Sequence, residues 1–169
     1  MKGPEWIAAV PRPQPAASVR VERHPALASA DPAERYKALQ EPAEAHALGQ
    51  TFRLDQLPYL LAFADGQAVG AASLALFGDD LVLLGLAGQP DLGRPDLCAE
   101  LVREAAEVGR EIGRRRILAP LTNADPLALF FLQSEGFTLS EVNPYVGPER
   151  TGLGGIVATH ELVLEHMIA

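Results

Sequence analysis

The stretch that decides the fold opens with Leu81-Val82-Leu83-Leu84-Gly85-Leu86, passes through a Gly/Pro/Asp turn, and enters an amphipathic run from Leu97 to Ile112. Ile117-Leu118-Ala119 comes next. The stretch closes with Thr122-Asn123-Ala124-Asp125-Pro126-Leu127-Ala128-Leu129-Phe130-Phe131-Leu132-Gln133-Ser134-Glu135-Gly136-Phe137. This spacing predicts strand, turn, helix, strand, helix and a glycine stop. Asp125 before Pro126 predicts an N-cap followed by proline at the first helical position, and Gly136 predicts the helix end. The turn ahead of Leu97 is a natural place for an anion, because N–H groups at a helix start are unpaired and carry partial positive charge. Leu97, Leu101, Val102, Ala105, Val108 and Ile112 share the helix face expected in the core.

Upstream, Tyr59 to Ala64 and Gln67 to Leu76 are apolar runs joined by Asp65-Gly66, which predicts a hairpin with a primed turn. Gly78-Asp79-Asp80 predicts a second turn, leading into the strand at Leu81. Ser18 to Arg23 alternates and reads as a first strand at an edge. Asp31-Pro32-Ala33-Glu34 starts a helix expected to reach Gln40, and Glu41 to Leu48 is expected to continue as a second short helix. Residues 1–17 form an arm carrying Pro4, Pro11, Pro13, Pro15 and Trp6, since such a segment sustains neither helix nor ladder. Residues 18–169 form a single domain. Downstream, Phe137 to Val142 reads as a strand, Asn143 to Gly155 as a Gly/Pro-rich loop, and Ile156 to His166 as the last strand. Exposing Val157, Val163 and Met167, that strand would offer an edge to a homodimer.

At 169 residues the chain can bury a real core. Its net charge of −8 argues against general nucleic-acid binding, which needs a basic face. No apolar run approaches the ~20 residues of a membrane span, so no membrane partner is expected. The single cysteine, Cys98, excludes an internal disulfide and is expected in the core. With no secretory pattern at the N-terminus, the expected location is cytoplasmic. His24, His46, His160 and His166 show no metal-ligand spacing with one another or with Cys98, so no metal is expected. Phosphate-loop and dinucleotide glycine motifs are both missing. Arg114-Arg115-Arg116 is expected to close the long helix, where cations complement the dipole.

From Asp31 to the C-terminus the chain resembles the GNAT superfamily of acyl-CoA-dependent N-acetyltransferases. The resemblance rests on Thr122-Asn123, Ala128-Leu129, Phe131, Gln133 and Gly136-Phe137, which are similar to the second-helix motif of one GNAT subgroup. Gly155-Ile156 and His160-Glu161-Leu162-Val163-Leu164-Glu165 are similar to that subgroup's closing strand. The resemblance implies an α/β fold, a mixed and mainly antiparallel sheet flanked by helices and splayed beside the strand Leu81 to Leu86. Acetyl-CoA is the implied co-substrate. Its pantetheine arm would pair with main chain at Leu84, Gly85 and Leu86, and Asn123 and Leu129 would border it. Its pyrophosphate would meet the turn at Leu92, Gly93, Arg94, Pro95, Asp96 and Leu97. The implied reaction is attack of an amine, on a small molecule or a protein, upon the thioester.

Two departures from the family pattern bear on function. The family's phosphate loop, Gln/Arg-x-x-Gly-x-Gly/Ala, falls on Leu92 to Leu97. Pro95 there lacks an N–H, Leu97 adds a side chain, and Asp96 brings a carboxylate that can itself accept the helix-start N–H bonds. Leu132 stands where many members carry a Tyr that protonates the departing thiolate, and Leu81 to Ala87 offers neither carboxylate nor His. Tyr145, in the Gly/Pro loop, and His160, in the last strand, are the remaining catalytic candidates. Two functions follow: an N-acetyltransferase, or a GNAT-fold binding module that has lost acyl transfer and whose pyrophosphate loop is self-capped by Asp96.

Overall fold

The computed structural model describes residues 19–25, 44–88 and 95–168, of which 87, 88, 95, 96, 98 and 153 are described by their backbone alone. In chain order the elements are β1 (Arg20–His24), β2 (Glu44–Ala47), β3 (Gln50–Arg53), a short 3-10 turn (Leu54–Gln56), β4 (Tyr59–Ala64), β5 (Gln67–Phe77) and β6 (Asp80–Gly88). Then come α1 (Pro95–Glu111), β7 (Arg116–Thr122), α2 (Pro126–Ser134), β8 (Thr138–Pro144) and β9 (His160–Met167). Among the described residues, seven strands build one sheet in the order β1-β4-β5-β6-β7-β9-β8, and β2 and β3 pair separately as a hairpin. The β6–β7 pairing is parallel and the others are antiparallel.

Both faces of the central strands β4 to β7 are covered, which is why those strands read as continuous apolar runs rather than alternating ones. On one face Leu60, Leu74, Leu81, Leu83, Ile117 and Leu164 meet Leu97, Leu101, Val102 and Ala105 of α1. On the other, Leu61, Phe63, Val82, Leu84, Leu118 and Val163 cluster with Ala47 and Phe52 of the hairpin and Leu54. The turn at Asp65-Gly66 is primed as expected, with φ of 52° and 78°. α2 ends in a Schellman motif. Phe137 N–H donates to the Leu132 carbonyl and Gly136 N–H to that of Gln133, with Gly136 at φ 95°. Phe137 and Leu132 are then buried together, so the Gly-Phe pair is a helix stop with its apolar lock.

Several expectations fail for identifiable reasons. Glu41 to Leu48 is not a second helix: residues 44–47 are strand β2, whose turn to β3 is made by Leu48 and Gly49 at φ 54° and 74°. Asp125 does not cap α2 through its side chain, because Arg150 holds that carboxylate at 2.9 Å. The triple arginine does not close α1. Gly113 does so, with Arg114 N–H donating to the Gly109 carbonyl at 2.8 Å, and Arg116 already belongs to β7. Ile112 is therefore past the helix and half exposed. β9 begins at His160 rather than Ile156 and lies between β7 and β8, with Val163 buried, so it offers no free edge. The arm at 1–17 and the helix from Asp31 lie outside the described residues.

Candidate active site

The pairing of β6 with β7 is confined to Leu81 with Ile117 and Val82 with Leu118. Beyond that point the strands diverge: β6 runs on along β5 to Gly88, and β7 runs on along β9 to Thr122. The cause is local. Ser73 pairs with Leu84 but Ala71 pairs with Ala87, so β6 carries one more residue than β5 across that interval. Gly85 takes up the excess at φ 56°, a left-handed conformation open to glycine at little cost. The bulge increases the local twist and turns the end of β6 away from β7, leaving a wedge-shaped gap. α1 starts at Pro95, a short connection after β6 ends.

Beside the gap, on the hairpin face, lies a cavity of about 620 Å3. Its floor is Leu118, where the β6–β7 pairing stops, and Val163 of β9. The hairpin turn at Leu48 and Gly49 forms one wall, and Asn143, Tyr145 and Gly147 form the other. Arg116 lies at one end. It donates to both oxygens of Asp80 at 3.1 and 2.7 Å and to Glu165 at 2.7 Å, and these bonds raise its pKa further above the ordinary arginine value. Glu161, only 8% exposed, accepts the Leu48 N–H at 3.0 Å and so ties the strained hairpin turn to β9.

The connection from β8 to β9 is held by Asn123. Its carbonyl oxygen accepts the Thr159 and His160 N–H groups at 2.8 and 2.9 Å, and its amide donates to the Val157 carbonyl at 3.1 Å. Gly152 seats the same loop, because a Cβ there would lie 2.0 Å from the Ala124 carbonyl oxygen.

No family model matches this chain, and no curated protein sequence matches it. Solved structures do. An IAA acetyltransferase from Bacillus cereus superposes with a TM-score of 0.69 at 19% identity, covering 89% of this chain and 99% of that one. A Bacillus subtilis acetyltransferase in complex with CoA gives a TM-score of 0.69 at 16% identity, covering 89% and 99%. A nourseothricin acetyltransferase gives 0.65 at 17%, covering 89% and 99%. The chain has the GNAT fold.

Within the GNAT fold the sequence candidates fall in three places. Leu84, Gly85 and Leu86 border the gap, Leu84 buried and Leu86 half-buried. Asn123 and Leu129 lie just beyond the end of β7, the first with its side chain engaged by the β8–β9 loop and the second packed against the core. Leu97 is 6% exposed and turned into the core cluster under α1. Leu92, Gly93 and Arg94 lie outside the described residues, and Pro95 and Asp96 are described by backbone alone. Leu132 is 1% exposed, in the apolar core. Tyr145 lines the cavity and donates its hydroxyl to the Pro148 carbonyl at 2.7 Å. His160 is exposed at the start of β9, its ring against the Thr159 hydroxyl at 2.9 Å, and does not line the cavity.

Glu161, Arg116 and His46 all line the cavity, whereas the sequence reading places them only in the closing strand, at the end of the long helix and among histidines without metal spacing. A signal for the first was present. In Glu161-Leu162-Val163-Leu164-Glu165 the period-2 faces put two carboxylates beside Val163, inside a strand that is otherwise buried. Among the described residues no cluster of His, Cys, Asp or Glu could hold a metal ion, and no helix is long and apolar enough to cross a membrane.

Proposed function

We propose that the protein is an acyl-CoA-dependent N-acetyltransferase, moving an acetyl group from acetyl-CoA to an amine seated in the cavity. The observation that carries this reading is the wedge between β6 and β7, opened by the Gly85 bulge. Main chain of β6 past Val82 would hold the pantetheine arm, and the first N–H groups of α1 would meet phosphate. Acetyl-CoA supplies the activated acyl group; the chain supplies a groove and an orienting cavity. Holding amine and thioester in attack geometry can account for roughly 7–11 kcal/mol of barrier lowering. Leu132 is buried in the core and has no proton to give, so the departing thiolate takes its proton from the attacking nitrogen or from water.

That same Leu132 favours a second reading, a GNAT-fold binding module without acyl transfer. One experiment separates the two. The chain is incubated with acetyl-CoA and a panel of primary amines, and free CoA thiol is measured against amine-free controls. Amine-dependent thiol release is expected; acetyl-CoA binding without any release would leave the binding module.

A further inference from the structure

Among the described residues, the side chains that line the cavity beside the gap carry more carboxylates than cations. Asp80, Glu141, Glu161 and Arg116 line it. Arg116 is already matched by two carboxylates, Asp80 and Glu165. Among the described residues no cation pairs with Glu141 or Glu161. A carboxylate as buried as Glu161 is costly unless it is paired and hydrogen-bonded. One of its oxygens accepts the Leu48 N–H, and among the described residues no cation completes the set.

We propose that this cavity receives a small linear diamine, with the reacting ammonium on Glu161 and the distal ammonium toward Glu141. This rests on the acetyltransferase reading and names its acceptor class. Three observations place the pair. Glu161 is the direct cross-strand partner of Asn143, and Glu141 lies two residues further along β8. Directly paired residues share a sheet face, so the two carboxylates are diagonal neighbours, about 7 Å apart at their backbones, a separation that a four-carbon diamine spans. Glu161 lies on β9 opposite Thr122 of β7, so β7 is the one strand between it and the gap. The volume of about 620 Å3 lies in the range of small-molecule sites.

The proton inventory then closes. The ammonium on Glu161 gives that carboxylate one proton and becomes a nucleophilic amine. Its lone pair forms the C–N bond to the thioester carbonyl carbon, the C–S bond breaks, and the nitrogen's second proton leaves with the thiolate sulfur. Glu161 returns its proton to solvent.

The test is calorimetric titration of the full chain with 1,4-diaminobutane, 1-aminobutane and 4-aminobutanoate, with and without acetyl-CoA, repeated on Glu161→Gln and Glu141→Gln. The diamine is expected to bind at least tenfold more tightly than 4-aminobutanoate. Glu161→Gln should weaken it tenfold or more while the melting temperature of the ligand-free chain holds or rises, since the amide oxygen still accepts the Leu48 N–H and the buried charge is gone. Glu141→Gln should narrow the preference for diamine over 1-aminobutane. Equal binding of 4-aminobutanoate, no diamine binding at millimolar concentration, or unaltered binding by Glu161→Gln would overturn the assignment. Should Glu161→Gln fail to fold, the wild-type preference decides alone. Glu161-dependent diamine binding without thiol release would retire the transferase reading and leave the cavity assignment standing. Thiol release that is indifferent to Glu161 would do the reverse.

Discussion

On the helix side of the sheet, Leu81, Leu101, Ile117 and Leu164 meet with no polar interruption, each 2% exposed or less. On the hairpin side the apolar floor of Leu118 and Val163 is fringed by Asp80, Arg116, Glu141 and Glu161, and a cavity opens above it. One face is closed by a helix whose stripe fits it. The other is closed by a two-stranded hairpin and a loop, which touch the sheet at a few points and leave room between. Burial on the first face serves stability, while the charges kept on the second make sense where something must be matched.

Truncation should separate the faces most strongly. Leu81→Ala, in the helix-side core, is expected to cost about 3 kcal/mol by urea unfolding. Leu118→Ala should cost roughly half as much, because its side chain already borders open space. Equal losses would break the distinction. Glycine substitutions sharpen it next. Gly152→Ala places a Cβ 2.0 Å from main-chain oxygen of Ala124, which cannot give way, and should cost about 2 kcal/mol in thermal melts. Gly109→Ala on α1 overlaps the tip of Ile168, which can swing aside, and merely touches Leu81 at 3.4 Å, so a smaller loss is expected.

Smaller still is Asn123→Ala, which removes three hydrogen bonds from a partly exposed loop. About 1 kcal/mol is expected, with faster hydrogen exchange at the Thr159 and His160 amides. The smallest effect is an acid titration on the helix side. Arg23 bonds both oxygens of Glu111, at 2.6 and 3.1 Å, and this hydrogen bonding lowers the Glu111 pKa. A depressed carboxylate pKa contributes stability that is present above the ordinary glutamate value and is lost as pH falls through the folded-state value. Because Glu111 is exposed, solvent screens most of it. Carbon-detected NMR should show Glu111 titrating below the ordinary glutamate value, and Arg23→Ala should raise it back toward that value.

Much of the fold was legible because its markers are local. The Asp65-Gly66 hairpin, the α1 stripe and the Gly136-Phe137 stop each lie within a short window, where spacing and turn chemistry decide the outcome. Glu44 to Ala47 misled because a four-residue strand followed by a turn at Leu48 carries no alternation long enough to outweigh helix-forming Ala and Glu. Asp125 misled because its partner, Arg150, comes from a distant loop. The candidate site divides in the same way. The gap was expected only through the family resemblance, its cause at Gly85 came from the structure, and the cavity depends on Leu48 meeting Glu161, 113 positions away, which no local window contains.

The most direct test of the central claim is hydrogen exchange at the β6 amides past Val82 with saturating acetyl-CoA. Ligand lying in the β6–β7 wedge should slow exchange at residues 83–88 and leave the β2–β3 hairpin amides unchanged. If exchange in that part of β6 is unaltered while acetyl-CoA is demonstrably bound, or if acetyl-CoA does not bind at all, the wedge is not an acyl-CoA site.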